Sequence, residues 1–248
     1  MRALAIGTTD NGPSMQRETF LNRIAERLGR ARKTAAPARG EMGVPESYLA
    51  APLGATAEGG DLCEHFKREL ENVGGRVAVA NGLAEVAPLV RSELAYWGAT
   101  RLVSWNRLEF RDWDVQWLWN EANCTAWDGE TDLEAAARFR RAALEADVGI
   151  TTVDYAIANT GTMVLSSSLE RPRSVSLLPT VHLALVRASQ LVPRMGSVFA
   201  AYTGRPSGPP SAVHFITGPS RTSDIENDLT IGVHGPAGVS AVVWREES

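Results

Sequence analysis

The sequence is poor in the side chains that redox and metal chemistry demand. Its 248 residues include two cysteines, Cys63 and Cys124, and four histidines. An iron–sulfur cluster usually takes four thiolates, so this chain cannot supply one alone. The two cysteines stand outside any CxxC or Cys/His cluster and read as reduced, partly buried thiols. Long apolar runs are also missing, and none approaches the ~20 residues that cross a bilayer. The opening MRALAIGTTDNGPS is too short in its apolar part for a secretory signal, which sets a cytoplasmic location as the expectation. Positive charge is not in excess: the formal net charge is −4. Nonspecific nucleic-acid binding therefore has no global electrostatic support. Absent too are a Walker A sequence, a GxGxxG after a strand and a Gly-x-Ser-x-Gly elbow, which removes the commonest nucleotide and hydrolase signatures.

What remains is long enough to bury a substantial core in one α/β domain with an appendage. Residues 1–60 read as an N-terminal helical arm and linker. Ser14 caps a helix to about Lys33, with Phe20, Leu21, Ile24 and Leu28 at helical spacing and a basic remainder. Lys33–Gly60, rich in Ala, Pro and Gly, has no periodicity.

Residues 61–248 carry the main domain. Asp61 suits an N-cap, and Leu62, Phe66, Leu70 and Val73 line a stripe that Gly74-Gly75 ends. Strand Arg76–Ala80, helix Leu83–Trp97 and strand Arg101–Trp105 form a βαβ unit and predict parallel pairing. Phe110–Trp127 holds four tryptophans, with Trp113 and Trp117 at i,i+4. They form either a subdomain packed on the sheet or an exposed patch for a partner or a flat ligand. Asp132–Ala146 is helical and Val148–Thr151 a strand. Three apolar runs follow, Met163–Ser166, Val175–Leu178 and Leu183–Val186; the first gap, at Glu170–Arg173, predicts a hairpin. Ser189–Tyr202 is expected as helix, and Ala212–Thr217 and Val239–Trp244 as strands. The fold class is an open, mostly parallel Rossmann-like α/β sheet flanked by helices.

Four stretches carry candidate chemistry. In GITTVDYAIANTGTMVL (Gly149–Leu165), Asp154 reads as a turn cap. Asn159, Thr160, Gly161 and Thr162 make either an ordinary turn or a cradle for phosphate or carboxylate. Such a cluster at strand ends lies where α/β sheets place ligands. His182, opening an apolar strand, is a satisfied structural histidine or a ligand-binding or acid–base group. In GPSRTSDIE, Ser220, Arg221, Thr222 and Ser223 offer hydroxyls and a guanidinium to an oxyanion, with Asp224 and Glu226 orienting the arginine or capping a helix. In GVHGP, Gly235 is an anion-binding candidate and His234 an acid–base or anion-binding one. His214, Asp224 and His234 match no metal motif, so no metal site is expected.

As a set and in this order, GITTVDYAIANTGTMVL, SLLPTVH, GPSRTSDIE and GVHGP resemble the LUD-domain family, the lactate utilization protein C group also known as DUF162. Asn159 departs from that pattern, which generally has an acidic residue there; an amide can neither act as general base nor form an acyl intermediate. The resemblance implies a fold similar to the NagB/RpiA and CoA-transferase superfamily. It also implies a non-redox part, binding a small anionic carboxylate or phosphate, in the iron–sulfur-dependent oxidation of L-lactate to pyruvate. No cofactor is then expected in this chain, since the clusters belong to partner proteins. The alternative is a stand-alone isomerase, CoA-transferase or hydrolase with His234 or Asp224 as its acid–base group. A third reading is a scaffold whose Trp-rich segment contacts other proteins.

Overall fold

The computed structural model describes residues 13–27, 29, 61–129, 132–205, 210–223, 229–232 and 234–246. The chain divides into two compact units, Met1–Val44 and Pro45–Ser248. In the first, helix α1 (Pro13–Arg27) leaves Phe20 and Ile24 exposed and Leu21 half-buried.

In the second unit, the Asp61 carboxylate accepts from the Cys63 N–H at 2.9 Å and so starts α2 (Leu62–Asn72). Cys63, Phe66 and Leu70 form its buried stripe. Full burial of Phe66 and Leu70 contributes roughly 1.5–3 kcal/mol each. Gly74, at φ +86°, turns the chain out of the helix into β1 (Arg76–Ala80). Then come α3 (Leu83–Tyr96), β2 (Leu102–Ser104), the single-turn α4 (Trp117–Asn120) and β3 (Cys124–Ala126). Asp132 caps α5 (Leu133–Glu145) through the Glu134 and Ala135 amides. The chain continues through β4 (Val148–Thr152), β5 (Tyr155–Ile157), β6 (Thr162–Ser166), α6 (Ser174–Leu177), β7 (Val181–Arg187), β8 (Leu191–Val192) and α7 (Met195–Thr203). It ends its described course in β9 (Val213–Ile216), β10 (Arg221–Ser223), β11 (Leu229–Ile231) and β12 (Gly238–Trp244).

Six strands make a wholly parallel sheet in the order β1-β12-β7-β4-β2-β3. Its central strands read as near-continuous apolar runs, as burial on both faces requires: six of the seven residues of β7 and of β12 are buried. Gly149 of β4 is obligatory, because a Cβ there would fall 1.8 Å from the Val175 carbonyl oxygen of α6. A second sheet, β8-β5-β6-β9, is antiparallel except for β5 with β8, and β10 and β11 form a separate hairpin.

The expected α/β class is present, and β1 and β2 run parallel in one sheet, but they do not pair with each other: β12, β7 and β4 lie between them. Three local expectations are corrected. Val175–Leu178 is not a strand: Ser174–Leu177 makes one helical turn on β4, and β6 pairs instead with β5 and β9. Ser189–Tyr202 is not one helix, since Leu191–Val192 joins the second sheet and Pro193 precedes α7. Trp113 and Trp117 do not share a helix; Trp113 sits in the turn before it. Trp105, Trp113 and Trp127 are at most 8% exposed and belong to the core.

Candidate functional site

The sequence-predicted residues gather largely around the carboxyl end of α2. Gly161, at φ +60°, closes the turn between β5 and β6. A Cβ on it would lie 2.3 Å from the Leu70 backbone nitrogen, so this glycine lets the turn rest on the helix backbone. The Thr160, Thr162 and Thr217 hydroxyls form a row with 2.7 Å spacings. Gly218, at φ +83°, packs on Val73, and Arg221 Nη2 donates to the Val73 carbonyl. The Ser220 N–H donates to the Pro236 carbonyl at 2.8 Å and the Gly232 N–H to the Ser220 carbonyl at 2.9 Å. The GPS and GVHGP segments are therefore neighbours, and a Cβ on Gly235 would meet the Ser220 side chain at an ordinary 3.5 Å. His234 is exposed. Thr222 and Ser223 pair with Thr230 and Leu229 in the hairpin. The Asn159 N–H donates to the Pro193 carbonyl. Asp224 and Glu226 lie outside the described residues.

Physical chemistry changes the meaning of this cluster. The carboxyl end of a helix carries partial negative charge and favours cations. Arg221 donates there to the carbonyl of Val73, the C-cap residue, a place that suits its positive charge. The threonine row lies at an end of the second sheet, not at the carboxyl edge of the parallel sheet where ligands were expected.

His182 departs from the surface cluster altogether. It is fully buried in β7, in register with Gly149 and Val239. Its Nε2 lies 2.9 Å from the Thr151 hydroxyl, while Nδ1 has no partner among the described residues. Burial pushes its pKa down to about 4, so the imidazole is neutral at physiological pH. Closed off from solvent, it fits the structural reading rather than ligand binding.

The carboxyl edge of the parallel sheet holds a different polar cluster, one that sequence reasoning missed. Asp154, just past β4, accepts from the Ser166 N–H at 2.6 Å, the Ser166 hydroxyl and the Tyr202 hydroxyl at 3.3 Å. Its other oxygen accepts from Arg171 Nη1 at 2.8 Å, and Arg171 Nη2 pairs with Glu109. Burial opposes the Arg171 charge, but the Glu109 bond and the two carboxylates outweigh it and raise its pKa. Burial and then Asp154 raise that of Tyr202, which stays neutral. A concavity of about 300 Å³ opens nearby at the end of β3, lined by Thr125, Trp127, Asp128, Arg138 and Phe139 among others. None of the predicted residues lines it. The sequence signals for this cluster were slight: Asp154 read as a cap and Glu170–Arg173 as a gap between strands.

Fold and site together define an α/β protein with a wholly parallel main sheet, a second four-stranded sheet and polar side chains over the carboxyl edge of the first. Residues 63–243 match the LUD domain, and the chain belongs to the LUD-domain family. It is 34% identical over 244 residues to Lactate utilization protein C of Halalkalibacterium halodurans, covering 93% of this chain and 98% of that protein. Against Lactate utilization protein C of Bacillus subtilis it is 32% identical over 235 residues, covering 91% and 94%. Among solved structures, a DUF162 family protein from Deinococcus radiodurans superposes with a TM-score of 0.51 at 19% identity. That match covers 74% of this chain and 96% of that one, and it shows a shared fold.

Proposed function

We propose that this chain is a non-redox component of an iron–sulfur-dependent system that oxidises L-lactate to pyruvate, and that it binds a small carboxylate. The observation that carries this reading is similarity over more than nine-tenths of the chain to proteins named Lactate utilization protein C. The chemistry agrees. Converting lactate to pyruvate removes two electrons and two protons, and the electrons need an acceptor. Cys63 and Cys124 are both buried, and burial pushes the Cys124 thiol up to about 12. Two protonated, separately buried thiols are poor cluster ligands. Electron transfer then falls to partner proteins in the cytoplasm, and this chain holds the acid or a partner.

Deleting the coding sequence tests this. Growth on L-lactate should fail while growth on pyruvate continues, and the purified chain alone should not reduce a redox dye with lactate. Dye reduction by the chain alone refutes the non-redox role. Turnover of another metabolite, abolished by His234→Ala, favours a stand-alone enzyme.

A further inference from the structure

In open parallel sheets, ligands bind where adjacent strands send their following connections in opposite directions, which leaves a crevice over the carboxyl ends. Here β2 and β4 are neighbours. The chain leaves β2 toward β3, on one side, and leaves β4 through the second sheet toward β7, on the other. The crevice therefore lies over Trp105–Asn106 and Val153–Asp154. The Asp154–Arg171–Glu109 cluster occupies that place.

A strap of backbone covers it. The Trp127 indole N–H donates to the Leu169 carbonyl at 2.6 Å and the Trp105 indole N–H to the Pro172 carbonyl at 3.2 Å. The Asn106 amide donates to the Glu170 carboxylate at 2.6 Å. Arg171 projects from this strap, its guanidinium carbon 5.3 Å from the centre of the Trp105 ring. It is 24% exposed and faces two carboxylates, Asp154 at 11% and Glu109 at 19%. Asp154 is tied to Ser166 and Tyr202 as well. Glu109, on the short 3₁₀ turn Arg107–Phe110, pairs its carboxylate with Arg171 alone among the described residues. One planar guanidinium thus holds one well-anchored carboxylate and one that a free carboxylate of the same geometry can replace.

We propose that this crevice binds a small 2-hydroxy or 2-oxo monocarboxylate, with Arg171 as its anchor, Glu109 as the internal stand-in it displaces, and Leu169–Pro172 as its cover. The acid class rests on the lactate-utilization reading; the location rests on topology and on this cluster alone. The incoming carboxylate takes the place of the Glu109 carboxylate on the guanidinium, so Arg171 stays paired while Glu109 turns to solvent. Tyr202, neutral, donates its hydroxyl proton to Asp154 and helps to hold that carboxylate in place.

Calorimetry of the intact chain with L-lactate and with pyruvate, against sodium chloride, tests the assignment. Loss of one charge-assisted competing bond predicts that Glu109→Gln tightens binding by about tenfold. Arg171→Lys, which keeps the charge but loses the fork, should weaken it by about the same factor, while Arg221→Gln leaves it unchanged. Hydrogen exchange across Leu169–Arg173 should slow when the acid is added. Affinity that is indifferent to Glu109→Gln and Arg171→Lys but lost in Arg221→Gln overturns the location and leaves the functional reading standing. Absence of heat with both the wild type and Glu109→Gln also overturns it, and growth on lactate then judges the functional reading separately.

Discussion

Gly161→Ala separates a packing role for the Thr-Gly-Thr turn from a ligand-cradling one, and Gly98→Ala is its built-in control. The two glycines have nearly the same backbone, φ +60° and +61°. Around a Cβ at Gly98 there is nothing within 4 Å; at Gly161 the Leu70 nitrogen, the Leu70 Cα and the Glu69 carbonyl carbon stand 2.3, 2.6 and 2.7 Å away. Placing an L side chain in the left-handed region costs roughly 1–2 kcal/mol, partly offset by about 0.4–1 kcal/mol from a stiffer unfolded chain. Gly98→Ala should therefore destabilise by about 1 kcal/mol. Gly161→Ala adds overpacking against helix backbone, which cannot rotate aside as a side chain can, at roughly 1–3 kcal/mol. Its total is about 2–4 kcal/mol. Urea unfolding followed by circular dichroism measures both, with an unchanged slope showing that the midpoint shift is a true stability change. Equal losses in the two variants would refute the claim that α2 is the partner that makes Gly161 necessary.

Three further outcomes follow from buried groups. His182 titrates near 6.5 when unfolded but about 4 when folded. Its contribution is therefore whole above pH 6.5 and is lost as the pH falls from 6.5 toward 4, about 3 kcal/mol in all. His182→Asn should flatten the pH dependence of the urea midpoint over that interval, and an unaltered slope counts against it. Glu93, 6% exposed, accepts from Arg76 Nε and Nη2 at 3.0 Å and from the Ser240 hydroxyl at 2.9 Å. Glu93→Ala should cost about 2–3 kcal/mol, the low end for breaking a buried pair because Arg76 is 37% exposed. A double-mutant cycle with Arg76→Ala checks that the two are coupled. Finally, Cys63 and Cys124 should react with a thiol reagent only at the rate of unfolding; rapid labelling of the native protein would contradict their burial.

What could be read from the sequence was local. Asp61 and Asp132 precede amphipathic stretches and cap them, and the apolar runs Leu183–Val186 and Val239–Trp244, read as strands, are buried strands of the parallel sheet. The one-turn helix at Ser174–Leu177 could not be told from a strand, because four residues are too few for either period to appear. The site was legible as chemistry but not as place. Arg221 reads in sequence as an anion binder, and nothing there shows that the fold sets it on Val73, 148 residues away. Asp154 looks like a cap until Ser166, Arg171 and Tyr202 converge on it, at separations of 12, 17 and 48 residues. Such convergence depends on which strands are neighbours, and no periodicity encodes that.

The position of β12 has a consequence for biosynthesis. It is inserted between β1 and β7, yet of the six parallel strands it leaves the ribosome last. Until residues 238–244 emerge, β1 has no pairing partner in this sheet and one edge of β7 stays open. Once β7 has emerged, and until β12 follows, the nascent chain carries an unpaired β1 and an open edge of β7, a condition that invites aggregation. Final closure joins strands from opposite ends of the domain, a non-local pairing of the kind that slows folding. Expression at low temperature or with added chaperones should raise the soluble yield more than any change of surface charge.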